Sequence, residues 1–532
     1  MRRLLAHAVA AAALVVVSAA TAAPPVFVVE GRGWGHGIGM AQYGAYGYAR
    51  DDGRPYAWIL EHYYPGTTLA PTSVGAVRVL LADDRRSLTV GSDAAFSVTD
   101  AEGRRYELPK GSMELGPSLR IQAGGETRTL ATPVEFSRGS SYLELGGRSY
   151  RGKLVVRASG GTLAAINRVG LEEYLYGVVP DEMPPGWAIE ALKAQAVAAR
   201  SYAVVSRRTT GVFDLFSDTR SQVYGGVRSE EARTNAAIDA TARQVLLHGG
   251  RVAHTFFHST SGGRTAAIED VWNASPVPYL VSVPDPHDRL SPYHRWGPFR
   301  FTASALVRRL GSLAPPGSLL DVVVDRNRSQ RAERVAARGS RGATSFAGTS
   351  FQSRLGLRSS WFSIGVLSLT GSVRVTYGGR ASLRGIARVE GAAFLERRSW
   401  NGRWQRVGQA QRRAAGAFRA VARPKVTTWY RVVSARGAGL AHRVSVAPLV
   451  RLTEIRRGRT LVGFVRPAVR GARVSIQRLA DGRWASVAQA QTDGSGRFRV
   501  GVSLAPGTYR AVATLGAAYV PGASSVFRVV AR

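Results

Sequence analysis

One carboxylate stands out by its setting. Glu182 lies in Val179-Pro180-Asp181-Glu182-Met183-Pro184-Pro185-Gly186-Trp187. Two prolines stiffen the chain just after it, and Trp187 supplies an apolar anchor. A carboxyl group on a stiff loop beside an aromatic ring loses hydration, which favours the neutral form and raises its pKa. A general acid needs that property. The same residues also allow a plainer role, in which Glu182 caps or salt-bridges its loop.

The element that must hold this loop follows at once. Ala188-Ile189-Glu190-Ala191-Leu192-Lys193-Ala194-Gln195-Ala196-Val197-Ala198-Ala199-Arg200-Ser201-Tyr202 contains no glycine or proline and is rich in alanine, so it predicts a helix that other backbones can approach closely. Before it, residues 74–170 alternate apolar and polar side chains, as in Val77-Arg78-Val79 and Lys153-Leu154-Val155, which predicts antiparallel β. Beyond Leu369 the pattern is again β. There Asn401-Gly402-Arg403-Trp404 recurs as Asp481-Gly482-Arg483-Trp484, and Tyr430-Arg431 as Tyr509-Arg510. A repeat near 80 residues with short strands predicts two tandem immunoglobulin-like β-sandwich modules. The expected order is a signal peptide (1–23), an α+β body (24–368) and two all-β modules (369–449 and 450–532).

Composition narrows the partners. The 532 residues carry 72 Lys+Arg against 36 Asp+Glu, a net charge of +36. Residues 371–532 hold 30 basic and 5 acidic residues, a net +25, so most of the excess lies in the repeated tail. Such an excess points to a polyanion. Arg2-Arg3, the apolar stretch Leu4 to Val17 and Ala20-Thr21-Ala22 read as an export signal. An exported chain makes nucleic acid an unlikely polyanion and favours polymers of the cell envelope; a solvated basic surface is the plainer reading of the tail. With no cysteine, thiol catalysis, disulfides and thiolate metal sites are excluded.

The strings around Glu182 resemble the SpoIID/LytB family of bacterial cell-wall proteins. The resemblance rests on Leu171-Glu172-Glu173-Tyr174-Leu175, Glu182-Met183-Pro184, Trp187 and the helix Glu190 to Tyr202. It extends to Gln222-Val223-Tyr224-Gly225-Gly226, to Phe257-His258-Ser259-Thr260-Ser261-Gly262-Gly263-Arg264-Thr265 and to the block Gly31-Arg32-Gly33-Trp34-Gly35-His36-Gly37-Ile38-Gly39-Met40-Ala41-Gln42-Tyr43. That block follows the glutamate helix in much of the family and precedes it here, so His36 is expected to meet Glu182 across 146 residues of chain. Gly31-x-Gly33 is not a nucleotide loop, because no strand–G-x-G-x-x-G–helix unit or GK[ST] accompanies it.

The resemblance implies a peptidoglycan lytic transglycosylase with Glu182 as the single catalytic carboxyl. It implies that His36, Gln42, Tyr43, Gln222, Tyr224, His258, Ser261 and Thr265 position sugar. Lys193 and Arg200, seven apart on the helix, would meet anionic substituents or else be ordinary helix-surface charge. Expected partners are peptidoglycan glycan strands, anionic wall polymers along the tail and an amidase. The alternative within the family is a non-enzymatic amidase enhancer, and beyond that a protein that only binds wall. The resemblance also implies a zinc-binding loop in sporulation-type members. Here Phe216, Arg220 and Ser221 stand at the ligand positions, so no metal and no cofactor are expected.

Overall fold

The computed structural model describes residues 23–208, 210–456 and 460–530. Apart from Ala23, the expected export signal lies outside them. The chain is mixed α/β and mostly strand. Among the described residues no helix is long and apolar enough to cross a membrane.

The predicted alanine-rich helix runs from Ile189 to Ser206. Five shorter helices frame it, so in chain order the six are α1 (Gln42–Asp51), α2 (Tyr56–Tyr63), α3 (Leu171–Tyr176), α4 (Val179–Glu182), α5 (Ile189–Ser206) and α6 (Ala232–Ala240). Helix α5 is buried on more than one face, which is why its composition is small and apolar rather than amphipathic. Ala196, Ala199 and Ala203 pack into the core of the main sheet. Ala194, Val197 and Ala198 pack instead against Ile59, Leu60 and Tyr63 of α2 and Ala45 of α1.

The main sheet has seven strands, in the order Leu215–Phe216, Ala76–Arg85, Thr162–Gly170, Lys153–Ser159, Val134–Ser137, Phe96–Thr99 and Arg105–Leu108. All neighbours are antiparallel as predicted, except that Leu215–Phe216 runs parallel to Ala76–Arg85. The alternation behind the prediction holds residue by residue: Leu154 and Val156 are buried while Lys153 and Arg157 are exposed.

The glycine-histidine block reaches the α5 layer through a short parallel pairing of Met40–Ala41 with Phe257–His258. Gly39 makes this approach possible. Its φ is +68, and a Cβ there would stand 2.1 Å from the Phe256 carbonyl oxygen.

The join between body and tail differs from the expected one. A five-stranded sheet runs Trp296–Thr302, Val26–Gly31, Phe362–Gly371, Ala381–Arg388, Ala417–Ala422. The expected boundary at 368–369 therefore falls inside a strand, and the first tail unit shares a sheet with the N-terminal strand of the body. Its core joins Val28 and Leu367 to Leu395, Tyr430 and Val444 of the facing sheet. The second unit packs two sheets of its own over Val450, Leu461, Ile476, Phe498 and Tyr509. The repeat is visible in the backbone: Asn401 (φ 56) and Asp481 (φ 49) hold equivalent left-handed turn positions.

Candidate functional site

Glu182 is the last residue of the single-turn helix α4 rather than part of a free loop. The chain is pinned on both sides of the following prolines. Met183 is fully buried with Ala191 and Leu192 of α5 and Ala237 of α6. The Trp187 ring stacks on Tyr46 at 4.5 Å and 16° and meets Tyr43 edge-on at 4.8 Å. Arg233 donates to the Trp187 carbonyl at 2.9 Å.

The half-buried Glu182 carboxyl has two donors, the Gln42 side-chain amide and the Val223 backbone N–H. Burial raises its pKa above the ordinary 4.5. The two hydrogen bonds favour the anion and pull the other way, and burial prevails. The hydroxyls of Tyr174 and Tyr202 lie in its electrostatic field, and the carboxylate charge helps to hold both protonated. A carboxyl whose acid form is favoured by burial, held by two donors and flanked by aromatic rings, can give a proton to an ether oxygen and take one back from a hydroxyl.

The family strings converge here through only some of the expected residues. Gln42 begins α1 and reaches Glu182 directly, and Tyr43 packs on Trp187. Gln222 and Tyr224 point into the core. Gln222 Oε1 accepts from the Tyr174 hydroxyl at 3.2 Å, and the Tyr224 hydroxyl donates to Asn167 Oδ1 at 2.7 Å. Locking 222 and 224 inward turns the Val223 N–H toward Glu182.

His36 does not meet Glu182. Its ring lies over the Phe257–His258 strand, with ring centroids 6.1 Å from Phe256, 5.4 Å from His258 and 5.1 Å from Trp272. Nδ1 accepts from the Ile38 N–H at 3.0 Å, and the ring also bonds the Phe257 backbone. Burial, with Arg331 adding a smaller effect, lowers its pKa to about 4, so at neutral pH it is an uncharged imidazole. The reason is positional: His36 precedes the strand Met40–Ala41, whereas Gln42 follows it on the helix that crosses to Glu182.

The remaining expected residues serve the scaffold. His258 is buried, with Nδ1 on the Ile38 carbonyl at 3.2 Å. Ser261 and Thr265 are fully buried. Ser261 Oγ accepts from the Gly263 N–H at 3.0 Å, while Thr265 Oγ1 donates to the Val281 carbonyl at 3.1 Å and accepts from Val283 at 2.8 Å. Arg200 is also fully buried. Its guanidinium is shared between Glu172 at 2.5 Å and the carbonyls of Gln244 and Ile238, so it has no face for a ligand, nor is it helix-surface charge. Lys193 pairs with Glu190 at 2.7 Å and lies over Tyr56, tying α5 to α2.

Sequence reasoning passed over Tyr174, Tyr202, Tyr46 and the Val223 N–H. Tyr174 sits inside the Leu-Glu-Glu-Tyr-Leu string and carried a signal; a backbone donor carries none. At residues 216–221, where no metal is expected, the Phe216 ring lies 3.8 Å from the Arg220 guanidinium carbon, and Ser221 Oγ accepts from the Phe216 N–H. Among the described residues there is no group of three or more His, Cys, Asp or Glu side chains arranged to hold a metal ion.

Residues 159–248, which contain α3 to α6 and Glu182, match the family SpoIID, described as Stage II sporulation protein. An uncharacterized protein of Brachyspira hyodysenteriae is 37% identical over 142 residues, covering 26% of this chain and 38% of that one. The amidase enhancer of Bacillus subtilis is 43% identical over 114 residues, covering 21% of this chain and 15% of the relative. Stage II sporulation protein D of Bacillus subtilis is 31% identical over 164 residues, covering 28% and 47%. The chain thus spans less than half the length of these relatives. Through residues 159–248, the segment that bears Glu182, the chain is similar to the SpoIID family.

Proposed function

We propose that this chain is an exported peptidoglycan-remodelling protein that cleaves the N-acetylmuramic acid–N-acetylglucosamine bond as a lytic transglycosylase. The observation that carries the reading is the Glu182 carboxyl, raised in pKa by burial yet held by Gln42 and Val223. The neutral carboxyl protonates the glycosidic oxygen as the bond from the anomeric carbon to that oxygen breaks, which leaves an oxocarbenium-like centre. The resulting carboxylate then removes the proton from the C6 hydroxyl of the same sugar while O6 attacks the anomeric carbon. The products are a 1,6-anhydro end and a free hydroxyl on the leaving sugar, and Glu182 regains its proton. Intramolecular attack replaces a positioned water, so a second carboxylate is not required. Tyr43, Tyr46 and Trp187 supply ring faces for sugar beside the carboxyl.

The basic tail, in this reading, is a pair of immunoglobulin-like modules that hold the enzyme on anionic wall polymer. A second reading, an amidase enhancer, is favoured by the 43% identity to the protein of that name. Two assays separate the readings. Release of 1,6-anhydro products from peptide-stripped glycan, lost in Glu182→Gln, supports the transglycosylase. Stimulation of a purified wall amidase by wild type and Glu182→Gln alike, with no anhydro product from either, supports the enhancer and overturns cleavage.

A further inference from the structure

A cleft of about 550 Å³ opens where the N-terminal strand meets the first tail unit. It collects residues distant in sequence: Arg32 after the strand Val26–Gly31, Arg295, Arg326, Trp361, and from the tail Glu390 and Arg436. Its two carboxylates are already taken, because Arg436 pairs with Glu30 at 3.1 Å and with Glu390 at 2.8 Å. Arg32, Arg295 and Arg326 have no carboxylate within ion-pair distance among the described residues. Arg326 donates to the Phe362 carbonyl at 2.9 Å, and the Arg32 guanidinium lies over the half-buried Trp361 ring at 5.5 Å.

Arg32 stands in the field of the other two. Burial pushes Arg32 below its usual range and Arg295 adds to the shift; Glu390 pulls the other way by less than Arg295, and Arg326 adds the smallest lowering. Guanidinium groups converging in a cleft are relieved by an oxyanion that bridges them, because their planar donors match its geometry. The cleft is larger than a simple ion requires, and the half-buried Trp361 ring, over which Arg32 and the buried Arg331 lie at 5.5 and 5.0 Å, lines it. Gly31 keeps that wall open: its alpha carbon lies so close to the buried Trp296 ring that a Cβ would stand 2.1 Å from it. None of the cleft residues is a partner of Glu182, so the cleft is separate from the carboxyl site.

We propose that this cleft binds an oxyanion carried on a sugar ring, a carboxylate- or phosphate-bearing saccharide unit, with Arg32, Arg295 and Arg326 holding the anion and Trp361 the ring. It goes beyond the cleavage reading and does not need turnover. It also gives the shared body–tail sheet a purpose, since the tail supplies the Arg436 cross-link that occupies both carboxylates and leaves the other arginines to a ligand.

Calorimetric titration of the full chain tests it with three probes: N-acetylmuramic acid, N-acetylglucosamine 6-phosphate and neutral N-acetylglucosamine. At least one charged sugar should bind tenfold or more tightly than the neutral one, and added salt should weaken it. Which charged sugar binds identifies the carboxylate or the phosphate as the anion. Arg295 and Arg326 are exposed, so R295Q/R326Q should melt like wild type. It should lose about tenfold or more in affinity for the charged sugar alone. Glu182→Gln should retain that binding whether or not the wild type cleaves glycan. Equal binding of neutral and charged sugars, binding of none, an unaffected double variant, or loss of the binding in Glu182→Gln would each overturn the proposal.

Discussion

Replacing Gln42 with leucine removes one of the two donors on Glu182 and nothing else of comparable weight. The side chain is buried at 7% exposure, and leucine keeps most of its volume, so packing of α1 should survive. A hydrogen bond to a charged group contributes about 1.5–3 kcal/mol. At about 1.4 kcal/mol for each pKa unit, its loss moves the carboxyl by about one to two units. Glu182 still touches solvent, so the lower end, about one unit, applies. The sign is upward, because the donor favours the anion and its removal favours the acid. The assay is a carboxyl-carbon NMR titration of protein labelled in glutamate, with the Glu182 signal assigned by its absence in Glu182→Gln. Wild type should titrate above the ordinary 4.5, and Gln42→Leu about one unit higher again. The alkaline limb of kcat/KM should shift the same way, since the acid form persists to higher pH. A Glu182 resonance that stays in place in Gln42→Leu, or moves down, would show that the amide does not bond the carboxylate.

Two further outcomes follow from buried groups. Arg200→Met leaves the Gln244 and Ile238 carbonyls without that donor and the partly exposed Glu172 with only the Arg243 N–H, and should cost about 1–3 kcal/mol of stability, read in urea melts, with part of it restored by adding Glu172→Gln. Unchanged stability with lost glycan affinity would instead place Arg200 at the ligand. His36 is depressed to about 4 in the folded chain against an ordinary 6.5, so between those values the unfolded chain binds more protons and stability falls as pH falls. The loss attributable to His36 at pH 4 is about 3 kcal/mol, measured as the difference between wild type and His36→Phe in the pH 7 to pH 4 change. Identical pH dependence in the two proteins would contradict the buried neutral ring.

The sequence made the local features plain. The α5 helix follows from alanine content and the absence of breakers, and the main sheet follows from alternation such as Lys153 to Arg157. The meeting of the glycine-histidine block with Glu182 was also legible, though not the residue that makes it. The family string contains both His36 and Gln42, and only the position of the Met40–Ala41 strand decides which one faces the carboxyl. Arg200 was misread for a related reason. Spacing of seven puts Lys193 and Arg200 on one face of a helix, but it does not say that Glu172, Gln244 and Ile238 cover the second of them. The shared sheet was invisible, because pairing of Val26–Gly31 with Phe362–Gly371 links strands more than 300 residues apart, and no local pattern encodes a partner at that distance. The arginine cleft was hidden for the same reason, with the added difficulty that its cations sit among 68 arginines in the chain.

The most direct test of the central claim is mass analysis of the sugars released from peptide-stripped glycan strands by wild type and by Glu182→Gln at matched, folded concentrations. The account predicts 1,6-anhydro ends from wild type. It predicts a loss of about 10²-fold or more in the variant, the weight of a general acid and base, with the two proteins melting alike. Anhydro products formed equally by both, or by neither on stripped and peptide-bearing wall, would contradict it.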